Sequence, residues 1–179
     1  MKKNLRNYQS LDSYINEALY HKKNGYYFRK DPFGNSGDYT TSPNISILFS
    51  EMVTIWIILF WKFKKSPKEF NLIELGSGNG EMAYQILKTI ERFPEFKKSV
   101  NFFIYERSEL LIKIQKKKLK NFKVKWIKNF KKIKNTNNIF FGNEFMDAFA
   151  IKQFEKIKNN WFEKYILEEG SKRKIINIK

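Results

Sequence analysis

Three glycines in the segment ELGSGNGEM, residues 74–82, are the first residues whose spacing suggests chemistry. Gly76, Gly78 and Gly80 follow an apolar run and precede a helical pattern. Glycine permits a tight turn and the close approach of a ligand, and the helix that follows presents free N–H groups to an anionic group. The G-x-G-x-G spacing differs from the G-x-G-x-x-G of dinucleotide-binding proteins, and the Lys-Ser or Lys-Thr pair of a P-loop is absent.

Two carboxylates accompany this turn. Glu74 stands two residues before the first glycine, and Glu106 ends the next predicted strand. An acid beside the turn repels phosphate and attracts cations, which suits S-adenosylmethionine with its ammonium and sulfonium groups. A carboxylate at the Glu106 position holds the ribose hydroxyls in α/β nucleotide sites. We therefore predict S-adenosylmethionine as cofactor, bound by Glu74, Gly76, Ser77, Gly78, Gly80 and Glu106; the alternative is a plain strand-to-helix turn beside a solvated charge.

A parallel sheet would bring these residues to one edge. Strands are predicted over 70–75, 100–106, 123–127 and 139–142, and helices over 81–93 and 108–120. Strands that alternate with helices of about 10 to 15 residues indicate βαβ units. An amphipathic helix from Leu11 to near Gly25, an irregular segment over 31–43 and an apolar helix over about 44–64 come before them. The prediction is an α/β, Rossmann-like domain over 67–179 behind a helical extension over 1–66.

Composition excludes several other chemistries. The chain has no Cys, which rules out a disulfide framework, a thiolate nucleophile and a Cys-ligated zinc, and one His argues against a catalytic triad. The 35 Lys and Arg against 18 Asp and Glu give a net charge of +17, which suggests a polyanionic partner. Only five of these bases are Arg, the residue that nucleic-acid recognition favours, and they are scattered along the chain. A Lys-rich composition also follows from A/T-rich codons. Nucleic acid is therefore not the predicted partner.

The sequence around Met1 shows no export or transit signal. The most apolar segment, residues 45–63, is interrupted by polar residues and is shorter in its uninterrupted part than the roughly 20 residues that span a bilayer. Together with the lack of Cys, these features predict a cytoplasmic protein without a membrane span. They predict nothing about the oligomeric state.

Five ordered blocks resemble motifs of the MidA family of S-adenosylmethionine-dependent methyltransferases. LYHKKNGYY (19–27) is similar to the family's LYxxxxGYY, and GDYTTSPNIS (37–46) to its GDFxTSPEIS. ELGSGNGEM (74–82) is similar to ELGPGRGTL, and YERSELLIKIQKKKL (105–119) to the run E-x-S-xx-L-xxx-Q-xxx-L. NEFMDAFAIKQFE (143–155), followed by WFEKYI (161–166), is similar to NEFFDALPVxxF followed by W-x-E.

The resemblance implies a class I methyltransferase fold. It also implies an enzyme that transfers a methyl group to a nitrogen of a substrate protein, with arginine as the expected acceptor residue. Mitochondrial members of the family methylate arginine in a respiratory complex I subunit during assembly, so such a subunit is the expected partner. The resemblance also implies that the loop with Gly37 and Asp38 folds over the cofactor. Asn79 and Glu81 depart from the family's Arg and Thr and change the charge there. Because the family's domain continues beyond the W-x-E block, the 67–179 domain is expected to be incomplete.

Polar residues after the fourth strand are the candidates for catalysis. Methyl transfer from a sulfonium is an in-line displacement that needs no metal, so catalysis rests on positioning. Asn143 and Glu144 stand at the carboxyl end of that strand, where ligands bind in open α/β sheets. If the acceptor is a guanidinium, Glu144 is the first choice to orient it and Asp147 the second. Asn143 could contact the acceptor or the cofactor. Asp147 could instead be an ordinary acidic residue in the first turn of a helix, where the helix dipole favours a negative charge.

Two other functions stay open on the sequence. One is a nucleic-acid or small-molecule methyltransferase that uses the same cofactor site. The other is a binding or assembly protein that keeps the fold without turnover.

Overall fold

The computed structural model describes residues 8–29, 31–33, 37–133 and 137–179. The α-helices are α1 (Leu11–Tyr20), α2 (Tyr26–Arg29), α3 (Ser42–Ile45), α4 (Ile47–Phe63), α5 (Glu81–Ile90), α6 (Pro94–Ser99) and α7 (Glu109–Lys118). The strands are β1 (Tyr8–Ser10), β2 (Phe70–Leu75), β3 (Val100–Tyr105), β4 (Val124–Ile127), β5 (Asn137–Phe141), β6 (Phe154–Ile157), β7 (Asn160–Glu169) and β8 (Lys172–Ile178).

The contacts divide the chain into two units, Met1–Phe28 with Met146–Lys179 and Arg29–Phe145. The predicted domain boundary lies between residues 66 and 67, so the observed division is a different one. Helix α4 packs on the parallel sheet and shares its core, so it belongs with the sheet. Strands β6, β7 and β8 belong to the other unit, where β7 pairs with β1 and with both β6 and β8.

Strands β2 to β5 form a parallel sheet in the order β4-β3-β2-β5. Leu75 pairs with Tyr105, Tyr105 pairs with Ile127, and Glu74 pairs with Phe141. The carboxyl ends of all four strands therefore lie level at one edge. The predicted parallel α/β sheet is confirmed, with β4 as an edge strand.

The main core lies between one face of this sheet and helices α4 to α6, together with Leu119, which directly follows α7. Strand β2 is buried on both faces, as its sequence FNLIEL predicts for a central parallel strand. Helix α5 presents Met82, Ala83, Ile86 and Ile90 on one buried face, the spacing of an amphipathic helix. Burial of each such large side chain stabilises the fold by about 1.5–3 kcal/mol. A smaller cluster of Ile73, Phe103 and Ile127 covers the opposite face.

The other unit contains an antiparallel sheet that the sequence analysis did not predict. Strand β7 pairs with β1, β6 and β8. The β7–β8 hairpin closes through Gly170, at φ +62°, and Ser171, and Lys158, at φ +54°, lies in the two-residue loop between β6 and β7. A Gly-Ser pair between two runs of strand-forming residues is the signal that predicts such a hairpin.

Several predicted boundaries differ from those observed. The apolar helix is broken at Ser46 into α3 and α4, and Thr41 precedes the first helical residue. Helix α5 ends at Ile90 instead of Phe93, the residue before Pro94, where α conformation is disfavoured. Within the described ranges no helix is both long and apolar enough to cross a membrane.

Candidate functional site

The Gly-rich turn between β2 and α5 requires glycine at three positions. Gly76, Gly78 and Gly80 have φ of +66°, +54° and +81°, a region that strains other residues. A Cβ atom on Gly76 would lie 2.7 Å from the Phe145 ring, and one on Gly78 would lie 3.2 Å from the Phe33 ring. Helix α5 begins directly after Gly80, so its first N–H groups point into the turn. This arrangement can bind an anionic group by its backbone alone.

Glu74 lies beneath this turn and is almost fully buried. Only 2% of the residue is exposed, and Ser77 Oγ donates a hydrogen bond of 2.7 Å to its Oε2. Burial raises the pKa of Glu74 to about 7, with a further contribution from the charge of Glu106, although the Ser77 hydrogen bond opposes the shift. A cation nearby would favour the ionised carboxylate.

Glu106 follows β3 at the same sheet edge, and its carboxylate is held by fixed donors. Oε1 accepts hydrogen bonds from the backbone N–H groups of Arg107 (2.8 Å) and Ser108 (2.9 Å), and Oε2 accepts one from Gln115 Nε2 (3.2 Å). Burial raises the pKa of Glu106, and these hydrogen bonds act in the opposite direction. An ionised carboxylate has about four acceptor positions, so this one retains capacity for hydroxyl donors.

Gln115 is a residue near the turn that the sequence analysis did not single out. Its side chain is fully buried, and it donates to Gly78 O at 2.9 Å as well as to Glu106. The signal was its place as the Gln of the E-x-S-xx-L-xxx-Q run, where a polar residue lies in an apolar helix face.

The loop that carries Gly37 and Asp38 lies beside the turn in its described part. A Cβ on Gly37 would come within 2.3 Å of Pro32 O, and the Tyr39 N–H donates to that same carbonyl at 2.9 Å. Phe33 packs against Gly78, so this loop and the Gly-rich turn are in contact. Asp38 is exposed.

Asn143 and Glu144 directly follow β5 at the same edge. A Cβ on Gly142 would lie 2.8 Å from Leu75 O, which shows how closely this segment approaches the end of β2. Glu144 is exposed and has φ +53°, a strained conformation for a residue other than glycine. Phe145 packs on Gly76 and edge-on against Tyr105, with ring centroids 6.4 Å apart. These contacts fix the segment next to the turn.

Asp147, the second choice for a catalytic residue, lies in the other unit. It is exposed in a short 3-10 helix, Met146–Ala148.

A parallel sheet with a G-x-G-x-G turn after one strand and a buried carboxylate after the next defines a nucleotide-type α/β site. A family model described as "Putative S-adenosyl-L-methionine-dependent methyltransferase" matches residues 52–176, and the chain belongs to this family. The predicted family, fold class and cofactor are confirmed by this match.

Curated relatives are similar to the chain over most of its length. The protein arginine methyltransferase NDUFAF7, mitochondrial, of Xenopus laevis is 29% identical over 88% of the chain and 41% of the relative. The NDUFAF7 homolog, mitochondrial, of Drosophila melanogaster is 29% identical over 84% of the chain and 39% of the relative. The NDUFAF7 homolog, mitochondrial, of Caenorhabditis elegans is 32% identical over 79% of the chain and 38% of the relative. The chain thus spans about two fifths of the length of these relatives.

Solved structures share the fold. A superfamily member from Burkholderia thailandensis, crystallised with S-adenosyl-homocysteine, superposes with a TM-score of 0.80 over 96% of this chain and 46% of that one. Sequence identity is 19%. A second crystal structure from the same organism gives a TM-score of 0.75, also at 19% identity.

The predicted cytoplasmic location is wrong. The curated relatives are named as mitochondrial proteins, which contradicts it. The prediction depended on the lack of an export or transit signal around Met1 together with the lack of Cys, and the lack of Cys fits any compartment in which thiols stay reduced.

Proposed function

We propose that this protein transfers a methyl group from S-adenosylmethionine to a guanidinium nitrogen of arginine in a substrate protein. The observation that carries the proposal is the register of the parallel sheet. Because the strands end level, the Gly-rich turn, Glu106 and the segment Asn143–Glu144 follow neighbouring strand ends. Cofactor groups and acceptor groups therefore share one edge.

The residues at that edge suit the cofactor of the family. The N–H groups at the start of α5 would donate hydrogen bonds to its carboxylate, and Glu106 would accept hydrogen bonds from its ribose hydroxyls. Glu74, whose pKa of about 7 makes it ready to ionise, would place a negative charge under the ammonium and sulfonium groups. The bound cofactor supplies an electrophilic methyl group.

Glu144 would orient the acceptor. A carboxylate binds a guanidinium through two parallel N–H···O bonds, which fixes the plane of the group and aims one nitrogen. That nitrogen forms the new N–C bond while the electron pair of the C–S bond stays on sulfur. The methylated nitrogen then loses one proton, to Glu144 or to water. Asn143 supports either partner through its amide group.

The expected substrate is a protein of respiratory complex I. The names of the curated relatives support arginine as acceptor and mitochondria as the setting. The MidA resemblance supports a complex I subunit as the protein that carries the arginine. Glu144, exposed after β5, adds negative charge that a cationic acceptor would meet.

The test is transfer from S-adenosylmethionine with a tritiated methyl group to mitochondrial protein and, in parallel, to RNA. We expect methylarginine in the protein hydrolysate. The variant Glu144→Gln should lose at least about tenfold in transfer while it still binds cofactor, since one charge-assisted contact is lost. Glu95→Gln, an exposed carboxyl on α6, is the matched control and should remain active.

Other outcomes of this experiment identify the alternatives. Label in RNA alone would reject the arginine assignment. Cofactor binding without any transfer would favour a binding or assembly protein. Folded protein that does not bind S-adenosylmethionine, with Glu106→Ala behaving in the same way, would contradict the cofactor site itself.

A further inference from the structure

Gln115 occupies an unusual position for a glutamine. It lies on α7 between Leu111 and Leu119, four residues from each, so the three side chains share one buried face. Its exposure is 0%, although glutamine is a mostly exposed residue type. A buried amide must satisfy its donors and its acceptor within the protein, and an apolar side chain would satisfy the helix face more simply.

Three hydrogen bonds satisfy this amide. Nε2 donates to Gly78 O at 2.9 Å and to Glu106 Oε2 at 3.2 Å. Oε1 accepts from the indole Nε1–H of Trp126 at 2.9 Å. The amide thereby connects the Gly-rich turn, the carboxylate after β3 and the edge strand β4.

The direction of these bonds follows from the indole. Trp126 can only donate, so the oxygen of Gln115 must face it and the nitrogen must face Glu106. A carbonyl at Gly78 and a carboxylate at Glu106 both require donors, which agrees with the same orientation. Trp126 thus determines which atom of Gln115 meets the carboxylate.

We infer that Gln115, oriented by Trp126, is a positioning residue that holds the Glu106 carboxylate toward the ribose hydroxyls of the cofactor. This inference rests on the cofactor site of the proposed function. The two backbone N–H groups fix Oε1 of Glu106, and Gln115 fixes Oε2, so the carboxylate plane has one orientation. Because the same amide bonds Gly78 O, the distance between the ribose anchor and the Gly-rich turn is set as well.

A purely structural role for Gln115 predicts a different result. If the amide only fills the core, its loss weakens every ligand equally. If it orients Glu106, its loss weakens only ligands that carry the ribose hydroxyls. The ratio of affinities for S-adenosyl-homocysteine and its 2′-deoxyribose analogue therefore separates the two roles.

Calorimetry on the full chain measures this ratio. The wild type should bind S-adenosyl-homocysteine more tightly than the 2′-deoxy analogue by roughly tenfold, the usual size of one hydrogen bond to a charged group. Gln115→Met should bring the ratio close to one. Trp126→Phe should reduce it in the same direction, because the amide then loses its fixed orientation. Gln85→Met, at a buried glutamine of α5 outside this network, should leave the ratio unchanged.

Circular dichroism establishes which variants fold. If Gln115→Met does not fold, the affinity ratio measured on Trp126→Phe decides the question. Equal loss of affinity for both ligands, or an unchanged ratio in a folded variant, would overturn the inference. Failure to methylate arginine with the ratio behaving as expected would overturn only the proposed acceptor. Absence of binding by the wild type would overturn the cofactor site and this inference together.

Discussion

The hydroxyl of Ser77, within the Gly-rich turn, donates a 2.7 Å hydrogen bond to the buried carboxyl group of Glu74, three residues earlier at the end of β2. The carboxyl group is thereby tied to the backbone that would hold the cofactor. Its pKa of about 7 arises mainly from burial. Glu74 can therefore change its charge near neutral pH without leaving its place.

The first prediction concerns stability and pH. The pKa of Glu74 rises from 4.5 to about 7 on folding, so the folded state holds a proton that the unfolded state has lost between these values. The contribution of Glu74 to the free energy of unfolding is complete below pH 4.5 and is lost as pH rises through 7. The loss is on the order of 3 kcal/mol. Glu74→Gln should remove this decline. Urea unfolding at several pH values checks it, with exposed Glu69→Gln as control, which should decline like the wild type.

The second prediction concerns discrimination by charge. S-adenosylmethionine differs from S-adenosyl-homocysteine by the methyl group and the sulfonium charge, so the ratio of their affinities isolates the field at sulfur. Ionisation of Glu74 should raise this ratio between pH 5.5 and 7.5, because the carboxylate attracts the cation. Glu74→Gln should give a ratio independent of pH. A ratio that rises equally in both proteins would place the titrating group elsewhere.

The third prediction concerns the turn itself. Gly78→Ala introduces a Cβ at φ +54° and 3.2 Å from the Phe33 ring. Gly170→Ala is the matched control, since its φ is +62° but no atom lies within 4 Å of the new Cβ. The control should lose only the backbone term, about 1–2 kcal/mol. Gly78→Ala should lose more stability and also cofactor affinity. Equal losses, measured by thermal unfolding and calorimetry, would contradict a packing role for this glycine.

The parallel sheet was predictable because its signals are local. Residues 70–75 read as one buried strand, and the glycines that follow mark the turn within the same few residues. The pairing of Tyr8 in β1 with Leu167 in β7 could not be predicted, because no local pattern specifies a contact so distant along the chain. The β7–β8 hairpin is local, and its Gly170-Ser171 turn was a signal that the prediction did not use. Strand β6 is exposed at all 4 of its residues, so it has no buried apolar face that a sequence pattern could mark.

The same distinction applies to the site. Glu106 could be predicted from its distance to the Gly-rich turn along the chain, and Asn143 and Glu144 from their place after the fourth strand. The resemblance pointed to Gly37 and Asp38. The Gln115 network could not be predicted, because it exists only where α7, β4 and the turn meet. The strain at Glu144 was also hidden, since no sequence pattern around it requires a positive φ.

The fourth prediction follows from that strain. Glu144 has φ +53° although it is not glycine, so the fold keeps it there at a cost to stability. Glu144→Gly should relieve the strain and stabilise the protein by about 0.5–1 kcal/mol, the difference between the left-handed penalty and the entropy of glycine. It should also abolish orientation of the acceptor and reduce methyl transfer at least about tenfold.

Lys158→Gly is the control, because Lys158 has φ +54° in a hairpin loop of the other unit. It should gain similar stability and keep full transfer. Thermal unfolding and tritiated-methyl transfer on both variants check the prediction, and a Glu144→Gly protein that is more stable yet equally active would remove Glu144 from the acceptor site.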